Sequence, residues 1–248
     1  MEKIYMNNKL ISSAIALTLG STVSFNACAA LASNALLNFA HGTCGGVACT
    51  YDANNSPTNG PVTGGSYYAM DIAGNGTLSP YERYSITANE GVLINTTQLA
   101  YGSHTGVPNG TESPSIDMPF YYYQSTGMHL TTSPVTILSD DGAGQVTLDF
   151  SGWSIIWFDD TTVMDLGGHN SISPGTGIAT LLCGTDCSLG DTFTLDYQTR
   201  IASTPFNGIL YGVHLEGVIG IVPIPAAAWL FVSGLIGLAG VARRRKII

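Results

Sequence analysis

Residues 145–158 read QVTLDFSGWSIIWF, and two short apolar runs meet there around Ser151 and Gly152. Both runs are rich in β-branched and aromatic residues, which favour strands. Serine followed by glycine favours a turn between the runs. The stretch therefore predicts two consecutive strands, residues 145–150 and residues 154–158.

The second of these strands carries apolar side chains on both faces. Successive side chains of a strand point to opposite faces, so Trp153, Ile155 and Trp157 share one face, while Ile156 and Phe158 share the other. A strand with one solvated face would alternate apolar and polar residues. We therefore expect this strand to lie in the middle of the core.

Similar short runs recur along the chain, whereas long apolar patterns with the helical period of 3.6 are missing. Gly, Pro and Asp separate the runs, and residues 54–65 and 104–115 are loops by composition. Many short strands with turns between them predict an all-β fold, an antiparallel β-sandwich of jelly-roll-like form. The other predicted strands are residues 92–99, 118–123, 135–138, 178–182, 192–197 and 209–219.

Residues 1–29 have the three-part plan of a secretory signal. Two lysines begin it, residues 11–25 carry no charge, and Ala27, Cys28 and Ala29 follow at the spacing that signal peptidase reads. We expect cleavage after Ala29. Cleavage after Ala32 is the alternative, and a lipid attached at Cys28 is a weaker one.

Residues 222–248 have the composition of a membrane anchor. An uncharged run of 17 residues, 226–242, is at the short end of the range that spans a bilayer as a helix. A proline pair before it stops the helix from extending upstream. Four cations at 243–246 stay in the cytoplasm by the positive-inside rule, which leaves residues 30–221 outside as one domain.

The order of features in this tail resembles a known sorting signal. The tail opens with Val222, Pro223, Ile224, Pro225 and Ala226 and closes with Arg243, Arg244 and Arg245. It resembles the PEP-CTERM signals and, more closely, the VPLPA-CTERM variant, which has leucine at the position of Ile224. The resemblance implies removal by an exosortase, in a Gram-negative host that makes extracellular polysaccharide. Uncharacterised proteins with this tail are also similar to the chain at residues 127–157, 195–197 and 211–217. That similarity implies no biochemical activity.

Charge is distributed unevenly along the chain. Six of the eight lysines and arginines lie in the two end segments, but only one of the 17 acidic residues does. Residues 30–221 therefore carry 16 acids against Arg83 and Arg200, a formal charge of −14. Such a field repels nucleic acid and anionic membranes, because phosphate binding needs clustered Lys and Arg. It favours cations, and calcium above all in an exported protein.

Four cysteines remain once the signal is removed: Cys44, Cys49, Cys183 and Cys187. An even number in an oxidising compartment predicts disulfides, and four cysteines allow three pairings. Pairing within each close pair, Cys44 with Cys49 and Cys183 with Cys187, is favoured because each pair flanks a turn that contains glycine. A metal site is the alternative, although neither spacing is that of a zinc knuckle.

Residues 71–82 read DIAGNGTLSPYE, and this pattern resembles a calcium loop of the EF-hand or dockerin type. Such a loop offers oxygens at positions 1, 3, 5, 7, 9 and 12 and has glycine at position 6. Glycine stands at position 6, but the alanine at position 3 has no side-chain oxygen, so we expect weak affinity. An ordinary polar turn is the alternative. The implied Ca²⁺ ligands are Asp71, Asn75, Thr77, Ser79 and Glu82.

Tyrosines offer a second candidate surface. Tyr121, Tyr122 and Tyr123, together with Tyr67 and Tyr68, combine a flat apolar face with a polar tip, which suits sugars. Alternation along a strand buries at least one of the three consecutive tyrosines. Core packing is therefore the favoured interpretation.

The chain contains no Gly-x-Ser-x-Gly elbow, no His-Glu-x-x-His and no phosphate-binding or dinucleotide-binding loop. Carboxylate pairs such as Asp159 and Asp160 would suit a glycosidase, but a domain with 16 acids contains such pairs in any case. We therefore expect a non-enzymatic envelope or extracellular-matrix protein, stabilised by calcium. A carbohydrate-binding module for extracellular polysaccharide is the first alternative, and a secreted hydrolase is the second.

Overall fold

The computed structural model describes residues 30–51, 57–86, 91–102, 105–113, 115–158, 162–168, 177–204 and 206–221. These residues form β-strands and one short 3-10 helix, Pro80–Glu82, and they contain no α-helix, so the all-β prediction is confirmed. The strands are β1 (Ala35–Phe39), β2 (Thr43–Cys44), β3 (Val47–Ala48), β4 (Val62–Gly64), β5 (Tyr67–Met70), β6 (Arg83–Ser85), β7 (Val92–Leu93), β8 (Phe120–Tyr122), β9 (Ser125–Thr131), β10 (Thr136–Asp140), β11 (Gln145–Asp149), β12 (Trp153–Trp157), β13 (Val163–Asp165), β14 (Ile178–Cys183), β15 (Thr192–Arg200) and β16 (Leu210–Ile221).

Two large antiparallel sheets share one core. The larger has nine strands in the order β10-β11-β14-β15-β16-β1-β7, with β5 paired to β16 and β6 paired to β5. The second has the order β13-β12-β9-β8, and a small third sheet has the order β3-β2-β4. Apolar side chains from both large sheets form a single cluster, as in a β-sandwich.

Strand β16 organises the larger sheet because it is long enough to pair with three strands. One edge pairs with β15, while residues 211–214 of the other edge pair with β5 and residues 217–221 pair with β1. Residues 71–82, which follow β5 directly, are therefore held beside the centre of the sheet.

Strand β12 is buried on both faces, as its sequence predicts. Trp153, Ile155 and Trp157 belong to the main core between the sheets. Ile156 points to the other face, where it joins Met128 and other apolar side chains in a smaller cluster. The apolar residues of both faces therefore account for the interior position of β12 in its sheet.

Strand β9 has no counterpart among the predicted strands, although all seven of its residues are buried. Its sequence, STGMHLT, lacks the β-branched and aromatic density on which strand predictions depend. Pairing with β8 on one edge and β12 on the other supplies its backbone hydrogen bonds. Tertiary pairing therefore outweighs the weak local preference.

The prediction of a strand over residues 92–99 is wrong beyond Leu93. Asn95 has a φ of 59°, which ends the extended chain. The Gln98 side chain then turns back, since its oxygen accepts a hydrogen bond from Leu93 N–H (2.7 Å) and its amide donates to the Gly91 carbonyl (2.8 Å). The other predicted strands match observed ones to within three residues at each end.

Candidate functional site

Residues 71–82, here called the acidic loop, connect β5 to β6 through the 3-10 helix. Asp71 is buried, and its two carboxylate oxygens accept hydrogen bonds from the backbone N–H groups of Asn75 (3.0 Å) and Gly76 (2.6 Å). Gly76 has a φ of 79°, a conformation that favours glycine. The sharp turn expected at this glycine is therefore present.

Glu82 closes the acidic loop from its other end. One carboxylate oxygen accepts from Ala73 N–H (3.0 Å), and the other accepts from both the N–H (2.9 Å) and the hydroxyl (2.8 Å) of Ser79. Burial of Glu82 acts to raise its pKa, but these hydrogen bonds outweigh burial and hold the pKa below its ordinary value. Glu82 is therefore an ionised carboxylate near neutral pH.

The predicted calcium ligands are only partly brought together. Asp71 and Glu82 bond to the backbone of the same loop, but the Asn75 side-chain oxygen accepts two hydrogen bonds from Thr77, which occupy both of its lone pairs. The described residues contain no group of three or more His, Cys, Asp and Glu side chains that could hold a metal. Coordination in this loop would therefore rest on Asp71 and Glu82, aided by backbone carbonyls.

An open hollow of about 510 Å³ lies beside the acidic loop. Asp71 and Asn75 line it on the loop side, and Arg200 lines it from the end of β15. Any cation bound there would share the hollow with this fixed positive charge.

The cysteines pair locally, in agreement with the sequence prediction. Sulfur atoms of Cys44 and Cys49 lie 2.10 Å apart, and those of Cys183 and Cys187 lie 1.99 Å apart. The Asp191 carboxylate supports the second turn by accepting hydrogen bonds from the backbone of residues 185–187. These bonds, led by that from Thr185, lower the pKa of Asp191.

A buried polar network crosses between the two large sheets. The His129 ring lies 2.8 Å from the Asp117 carboxylate through Nδ1 and 2.9 Å from the Tyr211 hydroxyl through Nε2, and Trp153 Nε1 donates to the same hydroxyl (3.1 Å). One proton arrangement satisfies every group: His129 Nδ1–H donates to Asp117, and Tyr211 O–H donates to His129 Nε2. All four side chains are buried, so the network faces no solvent.

Sequence reasoning missed this network because its members lie far apart along the chain. Asp117 is 12 residues from His129, and Tyr211 is 82 residues from it. The one local signal was a single histidine, His129, within a stretch whose strand pattern is weak. Distant partners of this kind produce no local motif.

A second polar group lies on the outer face of the larger sheet. His214 on β16 bonds to Asp196 (2.7 Å) and Glu216 (2.9 Å), stacks on the Tyr67 ring, and Arg83 lies over that ring at 4.5 Å. The Asp196 hydrogen bond raises the pKa of His214 despite partial burial. The same bond lowers the pKa of Asp196.

The candidate tyrosines separate into buried and accessible ones. Tyr68 and Tyr122 are core residues, Tyr67 and Tyr121 are partly buried, and Tyr123 is 50% exposed. The expectation that alternation buries at least one of residues 121–123 is confirmed. The predicted tyrosine surface is therefore not continuous.

A tyrosine crevice of about 180 Å³ lies next to these residues. It connects the region of β5 and β6 with the start of β8, so it forms only in the folded chain. Its lining residues are Tyr51, Tyr68, Tyr84, Ser85, Pro119, Phe120 and Tyr121.

No protein-family model, curated protein or solved structure matches the chain. Among the described residues, no helix is long and apolar enough to cross a membrane. The predicted signal (1–29), the sorting tail (222–248) and the Asp159–Asp160 pair lie outside the described residues.

Proposed function

We propose that this chain is an exported bacterial protein of the envelope or extracellular matrix, acting through its structure and its surface and not through catalysis. The observation that carries the proposal is the pair of disulfides, Cys44–Cys49 and Cys183–Cys187. Disulfides persist in oxidising compartments and are rare in the cytosol. Export is the process that places a bacterial chain in such a compartment.

The two terminal segments suggest how the chain would be exported and processed. Signal peptidase would remove residues 1–29, and the tail would hold the precursor in the inner membrane through a helix at 226–242 until an exosortase cleaves near Pro223 and Pro225. The mature protein would then be a jelly-roll-like sandwich at the cell surface or outside the cell. Its acidity, with 16 acids and two arginines, suits an extracellular setting rich in divalent cations.

A non-catalytic role is supported by the placement of the groups that most resemble catalytic machinery. Asp117, His129 and Tyr211 form an acid–histidine–hydroxyl series, but all three are buried and already bonded to one another. A catalytic base must reach the proton that it abstracts from a substrate. The series is better suited to joining the two sheets.

Mass spectrometry of the mature protein from its host tests the processing route. We expect an N-terminus at Ala30 and loss of the segment from Trp229 onward. A variant with Pro223→Ala and Pro225→Ala should keep its tail, whereas the exposed-site control Tyr81→Phe should be processed normally. A stable membrane-bound product that retains residues 229–248 would refute the sorting proposal.

Calcium binding by the acidic loop is a separate part of the proposal, supported by the two buried carboxylates that converge on one loop backbone. Calorimetric titration of the full-length chain in detergent with CaCl₂ should give heat at millimolar concentrations, the range of extracellular modules. Asp71→Asn should abolish that heat, and Asp141→Asn, an exposed acid in another turn, should not. Absence of heat, or equal heat in Asp71→Asn, excludes the site.

A further inference from the structure

Two turns at separate places in the chain are built in the same way. Residues 75–77 and residues 109–111 both read Asn-Gly-Thr, and they are called here the Asn-Gly-Thr turns. The glycine has a left-handed backbone in each, with a φ of 79° in the first turn and 85° in the second. A buried carboxylate, Asp71 in the first turn and Glu112 in the second, accepts hydrogen bonds from the N–H groups of both the asparagine and the glycine.

The threonine of each turn holds the asparagine side chain in place. The Asn75 side-chain oxygen accepts hydrogen bonds from the N–H (2.9 Å) and the hydroxyl (2.7 Å) of Thr77. The Asn109 side-chain oxygen accepts the same two bonds from Thr111, at 3.1 Å and 2.7 Å. Both lone pairs of each amide oxygen are therefore occupied. The Nδ2 nitrogen of each asparagine, by contrast, has no hydrogen-bond partner in the described part of the chain, and both asparagines are exposed.

An exposed asparagine followed by threonine or serine two residues later is the acceptor motif for N-linked sugars in exported proteins. The sequence contains four such motifs without proline in the middle, and they begin at Asn54, Asn75, Asn95 and Asn109. Asn54 lies outside the described residues. Because so short a motif also arises by chance, the hydrogen bonds of each asparagine decide which ones suit this role.

Asn95 is the natural comparison for the two Asn-Gly-Thr turns. It is exposed as well, and threonine stands two residues after it. Its Nδ2, however, donates a hydrogen bond to the Ser33 carbonyl (2.9 Å). The fold therefore engages the amide nitrogen of Asn95 and leaves those of Asn75 and Asn109 available to a reaction partner.

We propose that Asn75 and Asn109 are N-glycosylation sites whose donor is a lipid-linked sugar diphosphate. In the transfer, Nδ2 of the asparagine forms a bond to the anomeric carbon of the sugar. The bond from that carbon to the diphosphate breaks, the lipid diphosphate leaves with the electron pair, and one amide proton passes to a base of the transferase. This inference rests on the proposed function, since export brings the folded turns to an enzyme outside the cytoplasm.

Peptide mass spectrometry of the protein from its host tests the inference. We expect a sugar on Asn75 and on Asn109, and a smaller modified fraction at Asn95. Transfer to Asn95 must first break its bond to Ser33, which should lower the modified fraction by roughly two- to ten-fold. Unmodified Asn75 and Asn109 in a chain that has lost residues 1–29 overturn the inference and leave the export proposal standing. A chain that keeps residues 1–29 overturns both.

Variants of Thr77 separate the role of its hydroxyl from effects on folding or export. Thr77→Val removes the hydroxyl and should abolish the sugar on Asn75, whereas Thr77→Ser keeps a hydroxyl and should retain the sugar. Asn109 in the same molecule is the internal control, because its modification in both variants shows that each is folded and exported. Undiminished modification of Asn75 in Thr77→Val, or equal modified fractions at all three asparagines in wild type, contradicts the assignment.

Discussion

The Tyr211 hydroxyl lies where β16 of the larger sheet meets β9 and β12 of the smaller one. It receives a hydrogen bond from Trp153 and lies 2.9 Å from His129 Nε2. In a water-free environment each of these groups depends on the others, because an unpaired buried donor or acceptor is costly. The network therefore favours one relative position of the two sheets.

Tyr211→Phe should lower the free energy of unfolding by about 1–3 kcal/mol, because it leaves the His129 ring and the Trp153 N–H without their partner. Urea unfolding at constant pH measures the change. Tyr81→Phe, at a residue that is 78% exposed, is the matched control and should change stability by less than about 0.5 kcal/mol. If the Tyr211→Phe protein is as stable as wild type, the hydrogen bonds of the Tyr211 hydroxyl add nothing to the free energy of unfolding, and the network contributes through packing alone.

His214, on the outer face of the larger sheet, should make the free energy of unfolding depend on pH. Its pKa is raised, so the protonated ring stabilises the fold fully below the unfolded value of about 6.5, and this contribution is lost as pH rises through the folded pKa. The lowered pKa of Asp196 acts in the acid range, where its contribution is lost as pH falls through the folded value.

The stability difference between wild type and His214→Gln should be largest near about pH 5.5 and should shrink by about pH 8.5. Its size should stay below about 1 kcal/mol, because the Asp196 side chain is 75% exposed and water screens the pair. Urea unfolding at both pH values measures it. A difference that grows with pH would contradict the assigned partners.

At the scale of elements, the two disulfides close short turns that adjoin strands β2–β3 and β14–β15. Each links cysteines only four or five residues apart. Short loops restrict the unfolded chain modestly, so each bond should contribute about 2 kcal/mol. Cys187 and Cys44 are both buried, but only Cys187 belongs to the main core, and Cys183 packs against that core.

Replacing Cys183 and Cys187 by alanine should therefore destabilise the protein more than replacing Cys44 and Cys49, because the first change also removes sulfur contacts within the main core. We expect about 2–4 kcal/mol against about 2 kcal/mol in chemical unfolding under oxidising conditions. Equal losses of stability in the two variants would mean that the packing of Cys187 in the main core adds nothing.

For the molecule as a whole, the formal charge of −14 on residues 30–221 sets the response to salt. Repulsion among exposed carboxylates opposes the compact state, and added salt screens it. We expect the melting temperature to rise between about 10 mM and about 300 mM NaCl, as the Debye length falls from about 30 Å to below 8 Å.

Divalent ions separate screening from binding in the same experiment. CaCl₂ should raise the melting temperature beyond MgCl₂ of equal ionic strength, and Asp71→Asn should remove that excess but keep the NaCl response. If Ca²⁺ and Mg²⁺ raise the melting temperature of wild type equally, charge screening explains the whole increase. A melting temperature that falls with NaCl would contradict the repulsion argument itself.

Several features followed from neighbouring residues alone: the strand-rich class, the double-sided burial of β12, the turn between β11 and β12, and the close cysteine pairs. Each depends on a local period, a turn or a short spacing, which the linear order contains. The central position of β9, the Asp117–His129–Tyr211 network and the tyrosine crevice required the folded chain. Directly bonded members of the network lie up to 82 residues apart in sequence, and burial against distant partners, not local preference, placed the parts of these features together.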